Sequence, residues 1–142
     1  MLDELRGFDN FKFNRLDLKD LDKLKEIFSL FKPEVVIHLA AQAGVRHSLV
    51  DPQSYLDSNI VAFYNILECI KLKDVKKFVF ASSSSVYGNS LKVPYAEVDD
   101  TSNPVSLYAA TKKSNEVLAY SYAFNNNIPM IGLRFFTVYG PS

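Results

Sequence analysis

The chain has 142 residues, 48% of them hydrophobic, which suits one domain with a buried core. Its 16 basic and 16 acidic side chains cancel, so composition does not indicate a nucleic acid or an anionic membrane as partner. One cysteine excludes an internal disulfide, and Cys69, His38 and His47 lack the spacing of metal ligands. The sequence shows no secretory signal and no run of about 18 apolar residues, so we expect a cytoplasmic protein.

The predicted elements begin with a strand and a helix. Residues 11–16 alternate apolar and polar side chains, as a half-buried strand does. Residues 20–31 carry apolar side chains at helical spacing, with Asp20 as the expected N-cap and Pro33 ending the helix. Residues 34–40 form a continuous apolar run rich in β-branched side chains, which predicts a strand covered on both faces.

The rest of the chain continues this alternation. Asp51 and Pro52 suit the N-cap and the first position of a helix. The expected elements are a helix over 53–71, a strand over 76–82, a helix over 107–124 and a strand over 128–136. Alternating strands and helices predict a parallel α/β sheet, in which ligands bind outside the carboxyl ends of the strands. The loops at those ends, "AAQAGVR", "SSSSVYG" and "TVYGP", contain many small or hydroxyl residues.

Tyr108 and Lys112 are the first candidates for chemistry. Residues four apart on a helix share a face, with Cβ atoms about 5–6 Å apart. A lysine ammonium near a phenol favours the phenolate. In a medium of effective dielectric near 20, one unit charge at about 4–5 Å supplies roughly the 4 kcal/mol that a tyrosine needs to act as an acid/base at neutral pH. Taken alone, such a spacing is more often an ordinary pair on a helix surface.

The segments around this pair favour the catalytic interpretation. Ser83 follows a predicted strand, within "FVFASSSSVYG", and precedes Tyr108 by 25 positions. This combination resembles the extended short-chain dehydrogenase/reductase family, and within it the NAD-dependent nucleotide-sugar epimerases. The similarity covers nearly the whole chain, through "RLDLKD", "VIHLAAQAGVRHS", "DPQSYLDSNIVAFYNILE" and "LRFFTVYGP". A mild departure is Ala62–Phe63, where that family usually has Gly-Thr.

The resemblance implies an α/β fold with a partial Rossmann-type, doubly wound parallel sheet. None of the five glycines forms the G-x-G-x-x-G turn that holds a dinucleotide pyrophosphate. We therefore expect residues 1–142 to be a partial NAD-binding Rossmann domain, without the first Gly-rich strand–helix unit and without the C-terminal substrate domain. A non-catalytic truncated chain or interaction fragment remains an alternative.

The resemblance also implies roles for individual residues. The catalytic residues would be Tyr108, Lys112 and Ser83. Contacts to NAD would come from Asp17, Leu18, Leu39, Ala40, Ala41, Ser58, Asn59, Ser82, Tyr108, Lys112 and Phe136. Contacts to substrate would come from Ser83, Ser84, Ser85, Arg46 and Thr137. The Arg46 guanidinium could bind a sugar carboxylate in bidentate fashion, and a solvated loop arginine is as good an interpretation.

Two features point within the family to UDP-glucuronate 4-epimerases. "HLAAQAGVRHS" and "LRFFTVYGP" are most similar to their segments. Nucleotide-sugar dehydratases carry Thr-Asp-Glu where this chain has Ser83, Ser84 and Ser85, and decarboxylating relatives often have Glu at the place of Ser85. UDP-glucose/UDP-galactose 4-epimerases share the catalytic residues and remain an alternative, as does a reductase that consumes reduced cofactor.

The implied reaction is inversion at C4 of a UDP-sugar through a 4-keto intermediate. Tyr108 would take the proton of the 4-hydroxyl, Ser83 would hydrogen-bond the sugar oxygen, and Lys112 would assist the tyrosine and hold the nicotinamide ribose. His38 and His47 receive no role, and His38 is predicted to be a packed core residue. The resemblance also implies a homodimer. Tyr64, Leu67 and Leu118 are candidates for its interface and equally for the core.

Overall fold

A computed structural model describes residues 2–72 and 75–140, with side chains from Glu4 onward. Its regular elements are α1 (Leu2–Leu5), α2 (Leu21–Phe31), β1 (Val35–His38), α3 (Pro52–Tyr55), α4 (Ala62–Leu72), β2 (Lys77–Ser83), α5 (Leu107–Asn126) and β3 (Met130–Phe135). Two short 3-10 helices, His47–Leu49 and Ser84–Tyr87, and a π-helical turn, Leu56–Val61, lie between them. None of the described helices is long and apolar enough to span a membrane.

The three strands form one parallel sheet in the order β1-β2-β3. Val35 pairs with Lys77 on one side of β2, and Phe78 pairs with Met130 on the other. The carboxyl ends of all three strands therefore meet at one edge, as the predicted α/β pattern requires. The parallel α/β class is confirmed, and each observed strand is shorter than its prediction or shifted by one residue.

The predicted strand over 11–16 is wrong. These residues have no strand assignment, and the described sheet ends at β1 on that side. A strand exists only where its backbone groups find a ladder partner, and alternation of side chains does not supply one. Leu16 and Leu18 instead pack as single apolar side chains against the core.

The sheet is covered on one face only among the described residues. Phe78 and Phe80 of β2 point to the covered face and are fully or almost fully buried. On the opposite face Val35 is 52% exposed and Ile37 is 65% exposed. The prediction that β1 is covered on both faces is therefore wrong for this part of the chain, because α2, α4 and α5 all pack on the side of Phe78.

The core lies between that covered face and the three helices. Its buried members are Leu24, Phe28, Phe63, Ile66, Leu67, Cys69, Ile70, Val75, Phe78, Phe80 and Ala119. Phe63 from α4 meets Phe80 edge-on, with ring centroids 5.2 Å apart. His38 lies against the rings of Phe63 and Phe78, which confirms that it is a packed core residue. Leu67 is also core.

Local signals fix the helix ends. The Asp20 carboxylate accepts from the Lys23 amide at the start of α2, and Asp51 accepts from the Ser54 amide beside Pro52. Helix α2 ends at Phe31, two residues before Pro33. The helix predicted over 53–71 is continuous in outline, but the π-helical turn interrupts its α-helical hydrogen bonding.

Candidate functional site

The carboxyl end of β2 leads directly into the candidate site. Ser82 and Ser83 end the strand, and the 3-10 helix Ser84–Tyr87 follows. Ser83 caps that short helix, since its hydroxyl accepts from the Ser85 amide at 3.2 Å. Ser83 is buried, whereas Ser84 and Ser85 are half-buried. The three predicted substrate serines thus lie on a fixed turn beside α5, which packs against this 3-10 helix.

Helix α5 carries both Tyr108 and Lys112, and it brings Lys112 to this strand end. Ser106 begins the helix by accepting from the Ala109 amide at 3.1 Å, so Tyr108 lies in its first turn. The Lys112 ammonium donates to the carbonyl of Ala81 at 2.8 Å, two residues before Ser83. Lys112 is only 4% exposed. The surface-pair interpretation is therefore wrong for Lys112, which is anchored inside the fold.

Burial governs the charges around Lys112. Removal from water lowers the pKa of the Lys112 ammonium to about 8, because a buried cation loses its hydration. The pKa of His38 is lowered to about 4, mainly by burial and to a smaller extent by the positive charge of Lys112. At neutral pH the strand ends therefore hold a mostly protonated lysine and a neutral histidine.

Tyr55 supports Tyr108 from α3 and was missed by sequence reasoning. Its ring meets the Tyr108 ring edge-on, with centroids 6.1 Å apart. The Tyr55 hydroxyl lies within hydrogen-bonding distance of the carbonyls of Ala43 and Gly44, at 2.8 and 2.6 Å, and its donor ties the loop after β1 to α3. Gly44 has φ of 104°, a conformation that favours glycine. A fully buried tyrosine hydroxyl requires partners, but sequence alone does not identify them.

Asn59 holds the same loop from the π-helical turn. Its amide accepts from the Gln42 N–H at 2.8 Å and donates to the Gln42 carbonyl at 3.0 Å. It also donates to the hydroxyl of Thr111, whose own hydroxyl donates to the Tyr108 carbonyl. Asn59 is buried and joins the loop to α5, while the neighbouring Ser58 is half-buried. Contact of either with a cofactor stays a prediction.

A half-buried ion pair completes the strand end, and sequence reasoning also missed it. Arg134 of β3 donates to both carboxylate oxygens of Glu116, at 2.9 and 3.0 Å. The Ser82 hydroxyl donates to the same carboxylate at 2.6 Å. Arg134 further donates to the Tyr87 hydroxyl at 3.1 Å, and Lys113 lies 3.5 Å from Glu116. We call Ser82, Tyr87, Lys113, Glu116 and Arg134 the Glu116 cluster.

The cluster keeps Glu116 ionised. Burial alone would raise the pKa of its carboxyl, but hydrogen bonds from Arg134 and Ser82 outweigh burial and hold that pKa below its ordinary value. Hydrogen bonding to Glu116 in turn raises the pKa of Arg134. Two signals were present in the sequence. Glu116 lies one further helical turn from Lys112, and Arg134 is a charge inside an apolar strand.

The other predicted site residues fall into two groups. Leu39, Ala40, Ala41, Arg46, Phe136 and Thr137 lie in the loops after β1 and β3, and all except the half-buried Ala41 are exposed. Asp17 and Leu18 lie next to Lys19, which pairs with Asp57 of the π-helical turn at 3.0 Å. Among the described residues, no group of three or more His, Cys, Asp or Glu side chains could hold a metal ion.

Comparison with known proteins agrees with this architecture. Residues 2–142 match the model of the NAD dependent epimerase/dehydratase family. A probable UDP-glucuronate 4-epimerase from Rhizobium meliloti (strain 1021) is 48% identical over 137 residues, which are 96% of this chain and 40% of the relative. The chain therefore spans less than half the length of this curated relative.

Solved structures of UDP-sugar epimerases are also similar to this chain. The crystal structure of UDP-glucuronic acid 4-epimerase from Bacillus cereus, in complex with UDP-glucuronic acid and NAD, has a TM-score of 0.85 and 39% identity. The match covers 99% of this chain and 43% of that one. The UDP-glucose 4-epimerase of Thermus thermophilus, solved with NAD, has a TM-score of 0.87 and 34% identity, over 94% and 43% of the two chains. The resemblance inferred from the sequence is confirmed: the chain belongs to the NAD dependent epimerase/dehydratase family.

Proposed function

We propose that this chain carries the catalytic residues of an NAD-dependent UDP-sugar 4-epimerase that converts UDP-glucuronate to UDP-galacturonate. The observation that carries the proposal is the placement of Lys112, whose buried ammonium is bonded to the Ala81 carbonyl beside the Ser83 turn. Tyr108 lies one helical turn earlier on the same helix. In this proposal Tyr108, Lys112 and Ser83 act together at the carboxyl edge of the parallel sheet, where such folds bind ligands.

In this proposal Tyr108 is the acid/base. Its phenolic oxygen takes the proton of the sugar 4-hydroxyl and returns it after inversion. Lys112, mostly protonated at neutral pH, carries a positive charge one helical turn from Tyr108. Ser83, held by its cap to the Ser85 amide, donates a hydrogen bond to the sugar oxygen. Tyr55 restricts the ring of Tyr108 by edge-on contact.

The residues at the sheet edge fit the nicotinamide half of NAD. The exposed Leu39 and Ala40 offer an apolar contact surface after β1, and Lys112 with Tyr108 offers polar groups for a ribose. The sequence has no Gly-rich turn for the pyrophosphate, so these residues alone fit only part of the cofactor. NAD, when bound, would supply reversible hydride transfer at C4.

A uronate substrate is favoured by Arg46 and by the similarity to UDP-glucuronate 4-epimerases. Arg46 begins the 3-10 helix in the loop after β1 and is exposed, so its guanidinium is accessible to a ligand carboxylate. UDP-glucose is the alternative substrate, supported by the likeness to UDP-glucose 4-epimerases. Arg46→Gln should lower turnover of UDP-glucuronate and leave any turnover of UDP-glucose unchanged.

The decisive experiment compares two tyrosines of α5. Turnover of UDP-glucuronate is followed by chromatography for the wild type, Tyr108→Phe and Tyr120→Phe. Tyr108→Phe should lose about 10²–10⁴-fold in turnover, because the phenol oxygen carries the proton. Tyr120 is exposed on the same helix, so Tyr120→Phe should match the wild type. Wild-type turnover by Tyr108→Phe would contradict the proposal.

Two further readouts separate the alternatives. An epimerase consumes no reduced cofactor, so net oxidation of NADH or NADPH would indicate a reductase instead. The purified chain is also denatured and the released supernatant assayed for NAD. A folded chain that releases no NAD and converts no UDP-sugar would contradict activity in residues 1–142 and favour a non-catalytic fragment.

A further inference from the structure

We propose that Glu116 and Arg134 are positioning residues, whose ion pair holds the end of β2 and the loop that follows it against α5, and so fixes Ser83 relative to Tyr108 and Lys112. Neither residue is assigned a contact with substrate or cofactor. The catalytic meaning of this arrangement rests on the proposed function, whereas the positioning itself can be measured without turnover.

Glu116 joins three elements at the strand ends. It lies on α5 and accepts a hydrogen bond from Ser82 at the end of β2. It also accepts two hydrogen bonds from the Arg134 guanidinium of β3, one on each carboxylate oxygen. Ser82 and Arg134 are paired neighbours in the sheet register, so one carboxylate reaches both strands at the same level. Ser82 is next to Ser83, and Lys112 is one turn before Glu116. A shift of this carboxylate would therefore move α5 relative to the serine turn.

The same cluster fixes the loop between Ser83 and Tyr108 at several points. Arg134 donates to the Glu97 carbonyl at 3.2 Å as well as to Tyr87, and its guanidinium lies 4.9 Å from the Tyr87 ring centroid. Lys113, beside Glu116, donates to the buried Thr101 hydroxyl at 2.6 Å. Arg134 and Lys113 are thus both paired with Glu116, which makes its carboxylate their common anchor.

The low exposure of the Glu116–Arg134 ion pair favours one fixed arrangement of its two side chains. The side chains of Glu116 and Arg134 are 15% and 19% exposed, so water competes weakly for their bidentate contact. Removal of one partner leaves a partly buried charge without a compensating partner. The side chain or backbone that carries this charge should then shift toward solvent. The expected consequence is displacement of α5 from the Ala81 carbonyl, which would expose Lys112.

The test uses Lys112 as a reporter. Its side-chain resonances are titrated by NMR in the wild type, Glu116→Gln and Arg134→Met, with the Lys112 signal assigned by its loss in Lys112→Arg. Titratable groups near Lys112 include His38 from β1 and, on α5, Tyr108 and Glu116. Burial is the cause of the low Lys112 pKa, so a Lys112 that becomes exposed should titrate closer to its ordinary value. Both variants should raise the Lys112 pKa from about 8 toward its ordinary value of 10.5.

Glu68→Gln is the matched control. Glu68 is a similarly half-buried carboxylate on α4 that accepts from the Tyr122 hydroxyl, away from the strand ends. Replacing the Glu68 carboxylate should lower the free energy of unfolding and leave the Lys112 titration unchanged. Two milder variants, Ser82→Ala and Arg134→Lys, decide the test if the first two fail to fold. Each removes part of the contact with Glu116 and should shift the Lys112 titration less, in the same direction.

Turnover then separates the two proposals. With UDP-glucuronate, Glu116→Gln and Arg134→Met should lose about 10- to 100-fold in kcat with little change in KM, because misplaced catalytic groups slow the chemical step. Folded cluster variants with a wild-type Lys112 titration would overturn the positioning proposal. A shifted titration in a protein whose wild type converts no UDP-sugar would support positioning and contradict the proposed function.

Discussion

β1 and β2 are neighbouring strands with similarly apolar sequences, and they differ in how much of that apolar surface is buried. In β2, Phe78 and Phe80 lie under α4 and α5 and are almost inaccessible. In β1, Val35 and Ile37 are largely exposed, although Val36 between them packs on the core. The difference shows that an apolar run specifies a strand, while the elements packed on each face decide which of its side chains are buried.

The same contrast separates the two ends of the candidate site. At the end of β2, the α5 side chains Glu116 and Lys112 bond the Ser82 hydroxyl and the Ala81 carbonyl, and Arg134 of β3 bonds the same Glu116 carboxylate. After β1, the loop is held from one side by Tyr55 and Asn59, and Leu39 is exposed. We therefore expect the serine–tyrosine–lysine region to be rigid and pre-organised, which is what acid/base chemistry requires.

The largest change in unfolding free energy is expected for a substitution on the covered face of the sheet. Phe78→Ala should destabilise the fold by about 3–5 kcal/mol, because it opens a cavity among the rings of Phe63, Phe80 and His38. Denaturant unfolding measures the loss. A loss below about 1 kcal/mol would mean that the core can collapse around the gap and that the burial contrast overstates the difference between the strands.

A pH-dependent effect comes next and concerns the histidine on the covered face of β1. The pKa of His38 is about 4 in the folded chain and near 6.5 when unfolded. Between these values the unfolded chain binds a proton that the folded chain does not, so stability is full above about pH 6.5 and falls as pH drops toward 4. The total change should be about 3 kcal/mol.

Variants isolate this contribution. His38→Phe should remove it from the pH profile of unfolding free energy, because phenylalanine fills an aromatic site without titrating. His47→Gln should retain it, because His47 is exposed outside the core. A wild-type profile in His38→Phe would show that other groups cause the acid sensitivity.

The smallest expected effect tests the open face. Ile37→Thr should change the unfolding free energy by no more than about 0.5 kcal/mol, since the side chain is mostly in water already. Self-association should decrease, because exposed apolar surface on a sheet promotes contact between molecules. Unfolding and sedimentation of the same sample provide both measurements. A loss comparable to that of Phe78→Ala would mean that something covers this face in solution.

The sequence by itself determined the features that depend on near neighbours in the chain. The capping residues Asp20 and Asp51 predicted where two helical segments begin, and the apolar runs predicted the three parallel strands. The spacing of Tyr108 and Lys112 placed both on one helix. These features follow from backbone geometry and local hydrogen bonds, which a short window of sequence contains.

Only the tertiary structure decided the features that depend on distant partners. It left residues 11–16 without a strand partner, buried Lys112 against a carbonyl 31 positions away and paired Glu116 with Arg134 across 18 positions. A hydrogen bond or an ion pair of this kind exists only once strands and helices have been packed together. No local pattern encodes which strand edge or which helix face will be available, because that is settled by the register of the whole sheet.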